Sequence, residues 1–340
     1  MKKIRFGVGI PTGTEGLMYP IPYASALDVV EQSVYAEQLG FDSVWGNDHV
    51  QTQKYVVDEF GQYPRYYAPL LELATIAGRT STIQLCTALL VLPFRHPVVM
   101  AKELATLDQL SGGRLRLGVG IGAYREEFEA QYGRDAAAVQ RGEMLEESIE
   151  LMQRIFTEDC VTHEGKYYSV RDLVSFPKPV QNPFPFYFGG NSAKSFERTA
   201  KYGTGWLPAG LTTDEIRHGV EELRRACDRC GRDFDEIDIA PQLGIMMKDT
   251  SEEAHAAYRA SQHYKHGLSL ASSTYKGRDI QNYATRRLVG SRQEVIDRIG
   301  AYIDAGVTHF AALIFADNTL EASKEQMQRF AEEVLPVFRG

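Results

Sequence analysis

Short apolar runs alternate along most of this chain with longer stretches whose apolar positions recur at helical spacing. The runs predict strands at residues 4–10, 41–45, 83–92, 114–119, 186–189, 205–208, 237–247 and 309–315. Between them the helical period predicts helices over 22–39, 70–79, 98–110, 136–156, 193–202, 213–230, 251–267, 291–305 and 320–338. Repeated strand–helix units with nearly continuous apolar strands predict a parallel sheet covered on both faces. Eight such units predict an α/β fold closed as one (β/α)8 TIM barrel spanning 1–340, with an open doubly wound sheet as the alternative. Three stretches break the alternation and read as insertions: a polar, tyrosine-rich loop near 51–67, a hairpin and proline-rich connector at 160–185, and a lid-like stretch at 268–287.

Composition narrows the picture. Apolar residues make up 44% and charged residues 24%, the balance of a protein able to bury a sizeable core. A net charge of −8 argues against nucleic acid as a partner. The densest apolar segment, residues 85–94, is about half the length a membrane span needs and contains Pro93, so no membrane contact is expected and a cytoplasmic location is the default. Four scattered cysteines do not make a disulfide framework. Cys227 and Cys230 form a CxxC with neither a second CxxC nor a nearby His pair, so no metal site is predicted.

The candidate chemistry gathers at predicted strand C-termini. In GFDSVWGNDHV, Asp48 and His49 end a strand, where a carboxylate neighbour fixes a histidine's tautomer for proton transfer. LGVGIGAYREEF carries Gly118, Gly120 and Gly122 without the spacing of a dinucleotide fingerprint, which fits close backbone approach to a flat ligand. In FYFGGNSAK, Gly189 and Gly190 end a strand and Asn191 or Ser192 caps a helix, a ready anion site beside Lys194. Arg95 and His96 read as structural. His163, His218, His255, His263 and His266 read as surface residues, and Arg286 and Arg287 as solvated lid residues, with binding of an anionic substrate as the alternative.

Together, GFDSVWGNDHV, TLDQLSGGRLRLGVGIGAYREEF, FYFGGNSAKSFERTAKYGTGW and LVGSRQEVIDRIGAYIDAGVTHF resemble the bacterial-luciferase-like flavin and deazaflavin oxidoreductases over most of the chain. The resemblance implies a homodimeric barrel with reduced FMN or F420 at the strand C-termini. Gly189, Gly190, Asn191 and Ser192 would hold the cofactor phosphate, helped by the Gly120–Gly122 loop, and a non-prolyl cis peptide near Ala88–Leu89 would press on the ring. His49, oriented by Asp48, would serve catalysis, with Tyr124 as a neighbouring donor. The leading expectation is a two-component monooxygenase using O2 and reduced FMN supplied by a separate flavin reductase. The alternatives are F420-dependent hydride transfer, in which Asp48-His49 matches deazaflavin-dependent members, and a non-catalytic flavin-binding protein. Ala123, followed by Tyr124, stands where the sugar-phosphate-oxidising deazaflavin branch carries Glu. The four tyrosines Tyr55, Tyr63, Tyr66 and Tyr67 are expected to line the substrate pocket.

Overall fold

The computed structural model describes residues 3–137, 139–270 and 283–339. Its first half runs β1 (Arg5–Gly9), α1 (Ala26–Gln38), β2 (Ser43–Gly46), α2 (Lys54–Phe60), α3 (Pro69–Ala77), β3 (Gln84–Thr87), β4 (Leu90–Val91), α4 (Pro97–Ser111), β5 (Leu115–Gly120), α5 (Arg125–Tyr132) and α6 (Arg141–Thr157). The hairpin β6 (Val161–Glu164) and β7 (Ser169–Leu173) follows. Then come β8 (Phe186–Gly189), α7 (Ala193–Tyr202), β9 (Gly205–Leu207), α8 (Thr213–Cys230), β10 (Asp238–Ile239) and β11 (Leu243–Met247). The last elements are α9 (Ser251–Ala260), α10 (Gln262–Ser269), β12 (Leu288–Gly290), α11 (Arg292–Asp304), β13 (His309–Phe315), α12 (Leu320–Glu333) and α13 (Leu335–Phe338).

The main strands form one curled sheet in the order β10-β9-β8-β5-β3-β2-β1-β13-β11-β12, with β4 joined to β5. Every pairing in it is parallel; only the β6–β7 hairpin is antiparallel. From β1 the chain adds strands in one direction as far as β10, and β11, β12 and β13 then stand on the other side of β1.

Alternation along the strands divides the core into two layers. Val44, Leu85, Phe186 and Phe188 belong to the large cluster between sheet and helices. Their neighbours Trp45, Cys86 and Tyr187 turn inward and pack with Leu207, Ala311, Ala88 and Leu89. Below that layer the interior is polar: Trp45 Nε1 donates to Ser43 Oγ at 2.7 Å, and Ser43 Oγ pairs with His309 Nε2 at 2.8 Å. Arg5 pairs there with Asp238.

Several expected boundaries shift for visible reasons. The strand over 83–92 is two pieces because the Ala88–Leu89 peptide is cis, at the position the resemblance implied. Residues 51–67 are not all loop: α2 forms there and ends on Gly61 in the left-handed conformation. Its one buried side chain, Val56, leaves no period to read. The helix over 136–156 begins at Arg141 and is preceded by the unforeseen α5. Of the lid-like stretch, residues 271–282 lie outside the described residues, while β12 at its end adds to β11.

Among the described residues no helix is long and apolar enough to cross a membrane, and no group of three or more His, Cys, Asp or Glu could hold a metal. The four cysteines are free, with Cys86 and Cys227 buried.

Candidate active site

A cavity of about 390 Å³ opens at the C-terminal ends of the strands. It collects Asp48, His49, Ala88, Leu89, Gly120, Gly122, Tyr124 and Gly189–Ser192, residues drawn from four strand ends. Parallel packing brings these ends together, because β2, β3, β5 and β8 are successive neighbours.

The floor is built on Leu89. A Cβ on Gly120 would meet Leu89 Cδ1 at 2.5 Å, and one on Gly189 would meet Leu89 Cδ2 at 2.8 Å. The two glycines expected to approach a ligand therefore make room for this side chain. At the other end, Ser192 caps α7: its Oγ accepts from Ser195 N at 3.3 Å and lies 3.0 Å from Ser195 Oγ. Asn191 Oδ1 is buried with no hydrogen-bond partner among the described residues. An unpaired acceptor, two hydroxyls and the free N–H groups of a helix start together suit a ligand with a hydroxylated, phosphate-bearing chain. Lys194 is exposed.

His49 and Asp48 part company. Asp48 does not orient the imidazole. Its Oδ2 accepts from Arg95 Nη1 at 2.6 Å and Val91 N at 2.9 Å, and its Oδ1 accepts from Arg95 Nη2 at 2.8 Å. Successive residues at a strand end point to different sides, so Asp48 faces back toward β4. The partner of His49 is Glu127, from the first turn of α5: Nδ1 lies 3.0 Å from Glu127 Oε1. Glu127 is 1% exposed. Gln53 seals the pair, its Oε1 accepting from the Tyr66 hydroxyl at 2.8 Å while its Nε2 faces Glu127 at 3.3 Å and His49 Nδ1 at 3.2 Å. A carboxylate only accepts, so the contact places the ring proton on Nδ1 and leaves Nε2 as the basic nitrogen. Nε2 has no hydrogen-bond partner among the described residues.

Around His49 stands a set of aromatic hydroxyls. The rings of Tyr66 and Tyr124 are centred 5.4 and 5.7 Å from the imidazole. The Tyr124 and Tyr55 hydroxyls are 3.4 Å apart, and Tyr55 Oη is 3.1 Å from His266 Nδ1. Burial, reinforced by neighbouring Tyr55, pushes the Tyr124 phenol well up, so it is a donor rather than an anion. Of the four tyrosines expected to line the pocket, Tyr55 and Tyr66 stand behind His49 and Tyr124, Tyr67 donates to Ala24 O, and Tyr63 is exposed.

Two further expectations are corrected. His263 and His266 are buried against the cavity rather than on a surface, because the chain breaks at Ser261 and α10 turns inward. Burial lowers His266 to about 4, with the His49 and Arg287 charges adding to the effect. Arg286 and Arg287 are buried rather than solvated: Arg286 pairs with Glu215, and Arg287 reaches the cavity with its Nε 3.2 Å from Tyr258 Oη. Arg95, read as structural, is held in its ion pair with Asp48.

Residues 4–309 match the luciferase-like monooxygenase family. The chain belongs to that family. It is 30% identical over 326 residues to an F420-dependent glucose-6-phosphate dehydrogenase of Amycolatopsis mediterranei (strain U-32), covering 92% of this chain and 95% of the relative. It is 25% identical over 334 residues to the oxygenase component of a flavin-dependent trigonelline monooxygenase of Acinetobacter baylyi, covering 92% of this chain and 89% of that one. The fold is that of monooxygenase RslO1 from Streptomyces bottropensis, with a TM-score of 0.80 at 24% identity over 98% of this chain and 100% of that one. Relatives named as dehydrogenases and monooxygenases make this luciferase-like protein an oxidoreductase.

Proposed function

We propose that this oxidoreductase transfers hydride between a small alcohol or carbonyl compound and F420, with His49 Nε2 taking the hydroxyl proton in the oxidative direction and returning it in the other. The observation that carries this reading is the donation of the Nδ1 proton to buried Glu127, which leaves Nε2 as the nitrogen available to exchange a proton with a ligand. F420, when bound, supplies the two-electron hydride acceptor. Leu89 supports the flat ring; Asn191, Ser192 and the start of α7 hold the phosphate-bearing chain. Tyr124 donates to the substrate oxygen. The F420-dependent relatives support this cofactor, and the absence of a carboxylate at Ala123 argues for a substrate other than a sugar phosphate.

A second reading keeps the sequence-based expectation of a monooxygenase that receives reduced FMN from a partner reductase. The apolar wall of Leu17, Ile121, Leu145, Phe188, Leu207 and Ile314 favours it, since such a wall excludes water. Anaerobic titration with F420 and with reduced FMN separates the two. F420 binding, with loss of deazaflavin absorbance on adding an alcohol from a test panel, is expected. Binding of reduced FMN alone, with substrate-dependent O2 uptake, overturns the first reading in favour of the second.

We read the curled sheet as a closed (β/α)8 barrel of one domain. Residues 238–247 support it by serving two neighbours: β10 pairs with β9, while Ile239 O and Pro241 O accept from Thr308 N at 3.0 Å and Ala311 N at 3.1 Å.

A further inference from the structure

Asp48 is buried in the site, touches no part of His49 through a hydrogen bond, and directs its three side-chain hydrogen bonds to one segment of chain. Its carboxylate takes a two-pronged contact from Arg95 and the backbone N–H of Val91, and Arg95 Nη1 also reaches Val91 O at 3.4 Å. Val91 lies two residues beyond Leu89, whose side chain is seated between Gly120 and Gly189. The near side of this segment is fixed separately, by Ala88 N donating to Gly46 O at 2.6 Å. Leu90 and Val91 also pair with Val119 and Gly120 of β5, so the Asp48 contact adds to that pairing a second hold on the residues that follow Leu89. With the Asp48 anchor cut, the pairing with β5 alone would hold Val91, and the position of Leu89 would be less closely set.

We infer that Asp48 and Arg95 are positioning residues for the cofactor ring: the ion pair sets the height of Leu89, and through it how tightly a flat three-ring ligand seats. This inference rests on the reading that such a ring lies on Leu89. It assigns to Asp48 a part in binding and none in the proton transfer of His49, which Glu127 orients. A seat populated only one time in about ten raises the apparent Kd about tenfold.

The test compares Asp48→Asn and the milder Arg95→Lys with wild type, measuring Kd for F420 and for reduced FMN by fluorescence, melting temperature without cofactor, and the pH profile of turnover. Phe330→Leu, in the distant core facing Phe6 and Phe41, serves as a control of matched melting temperature. The expected result is an about tenfold rise in cofactor Kd in both site variants, an unchanged Kd in the control, and a pH profile of unchanged shape. An unchanged cofactor Kd, or an equal rise in the control, overturns the inference. A shifted pH profile with unchanged Kd returns Asp48 to the acid–base chemistry and overturns it as well. Should Asp48→Asn fail to fold, Arg95→Lys decides alone, because it keeps the charge and loses only the fork. Wild type binding neither F420 nor FMN overturns the proposed function itself, and this inference with it.

Discussion

Glu127 Oε1 stands 3.0 Å from His49 Nδ1, across 78 positions of sequence, and is the acceptor that decides which imidazole nitrogen faces the cavity. Substitution at Glu127 separates tautomer from charge. In Glu127→Gln an amide oxygen can still accept the Nδ1 proton while the negative charge is gone, and turnover is expected to fall, but less than in Glu127→Leu. In Glu127→Leu nothing accepts it, the proton moves to Nε2, and the loss approaches that of His49→Ala, about a hundredfold or more. Steady-state kcat for the three variants checks the order; equal activity of Glu127→Leu and wild type would remove Glu127 from the mechanism.

Gly189→Ala probes the floor from its other side. The new Cβ falls 2.8 Å from Leu89 Cδ2, the far end of a flexible side chain, so Leu89 rotates rather than the backbone yielding. Melting temperature is expected to change little while cofactor affinity drops several-fold, about 1 kcal/mol. Thermal melts and a binding titration on the same preparation measure both.

Glu72 gives stability a pH dependence of its own. It lies in α3 with both carboxyl oxygens buried and unpaired, and burial pushes it up to about 7 from 4.5. The folded state thus holds this proton more tightly than the unfolded state. The sign follows: stability falls as pH rises from 4.5 through 7, by on the order of 3 kcal/mol at most. Glu72→Gln is expected to abolish that decline, so urea melts at pH 5 and pH 8 differ less in the variant than in wild type.

His266 acts on the acid side. Its folded-state value of about 4 lies below the ordinary 6.5, so the unfolded chain takes up the proton first. Stability is therefore lost as pH falls from 6.5 through 4, by a few kcal/mol at most. His266→Gln, which keeps a polar group near Tyr55, is expected to flatten this limb, as read from melting temperature between pH 4 and 7.

Where local chemistry governs an element, the sequence alone located it. Residues 186–189, 193–202, 213–230 and 309–315 are observed with the expected ends. For α8 the reason is plain: Thr212 and Glu215 close a capping box, and Gly231 adopts the left-handed conformation at the other end. The glycine-rich strand ends, His49 and Tyr124 were legible too, since strand C-termini are where such a fold keeps its site. The pairing of Asp48 with His49 was misread because adjacency in sequence is not adjacency of side chains at a strand end. Glu127 was invisible for the complementary reason. It stands in a short helix with little period, and its value comes from a contact with a residue on a different loop. The one local hint was a Glu126-Glu127 pair just after the last glycine of that segment. Likewise His263 and His266 looked superficial because no periodicity reports the break at Ser261 that turns α10 inward.

Gln53 begins α2, and Glu126 accepts from the next backbone N–H, that of Lys54, at 3.2 Å. The start of α2 is thus tied to the two neighbouring carboxylates of α5, one of which also holds His49. Gln53 therefore joins the start of α2 to the His49–Glu127 pair through contacts of 3.2 and 3.3 Å, so a change that displaces that helix start also loosens the packing behind the imidazole.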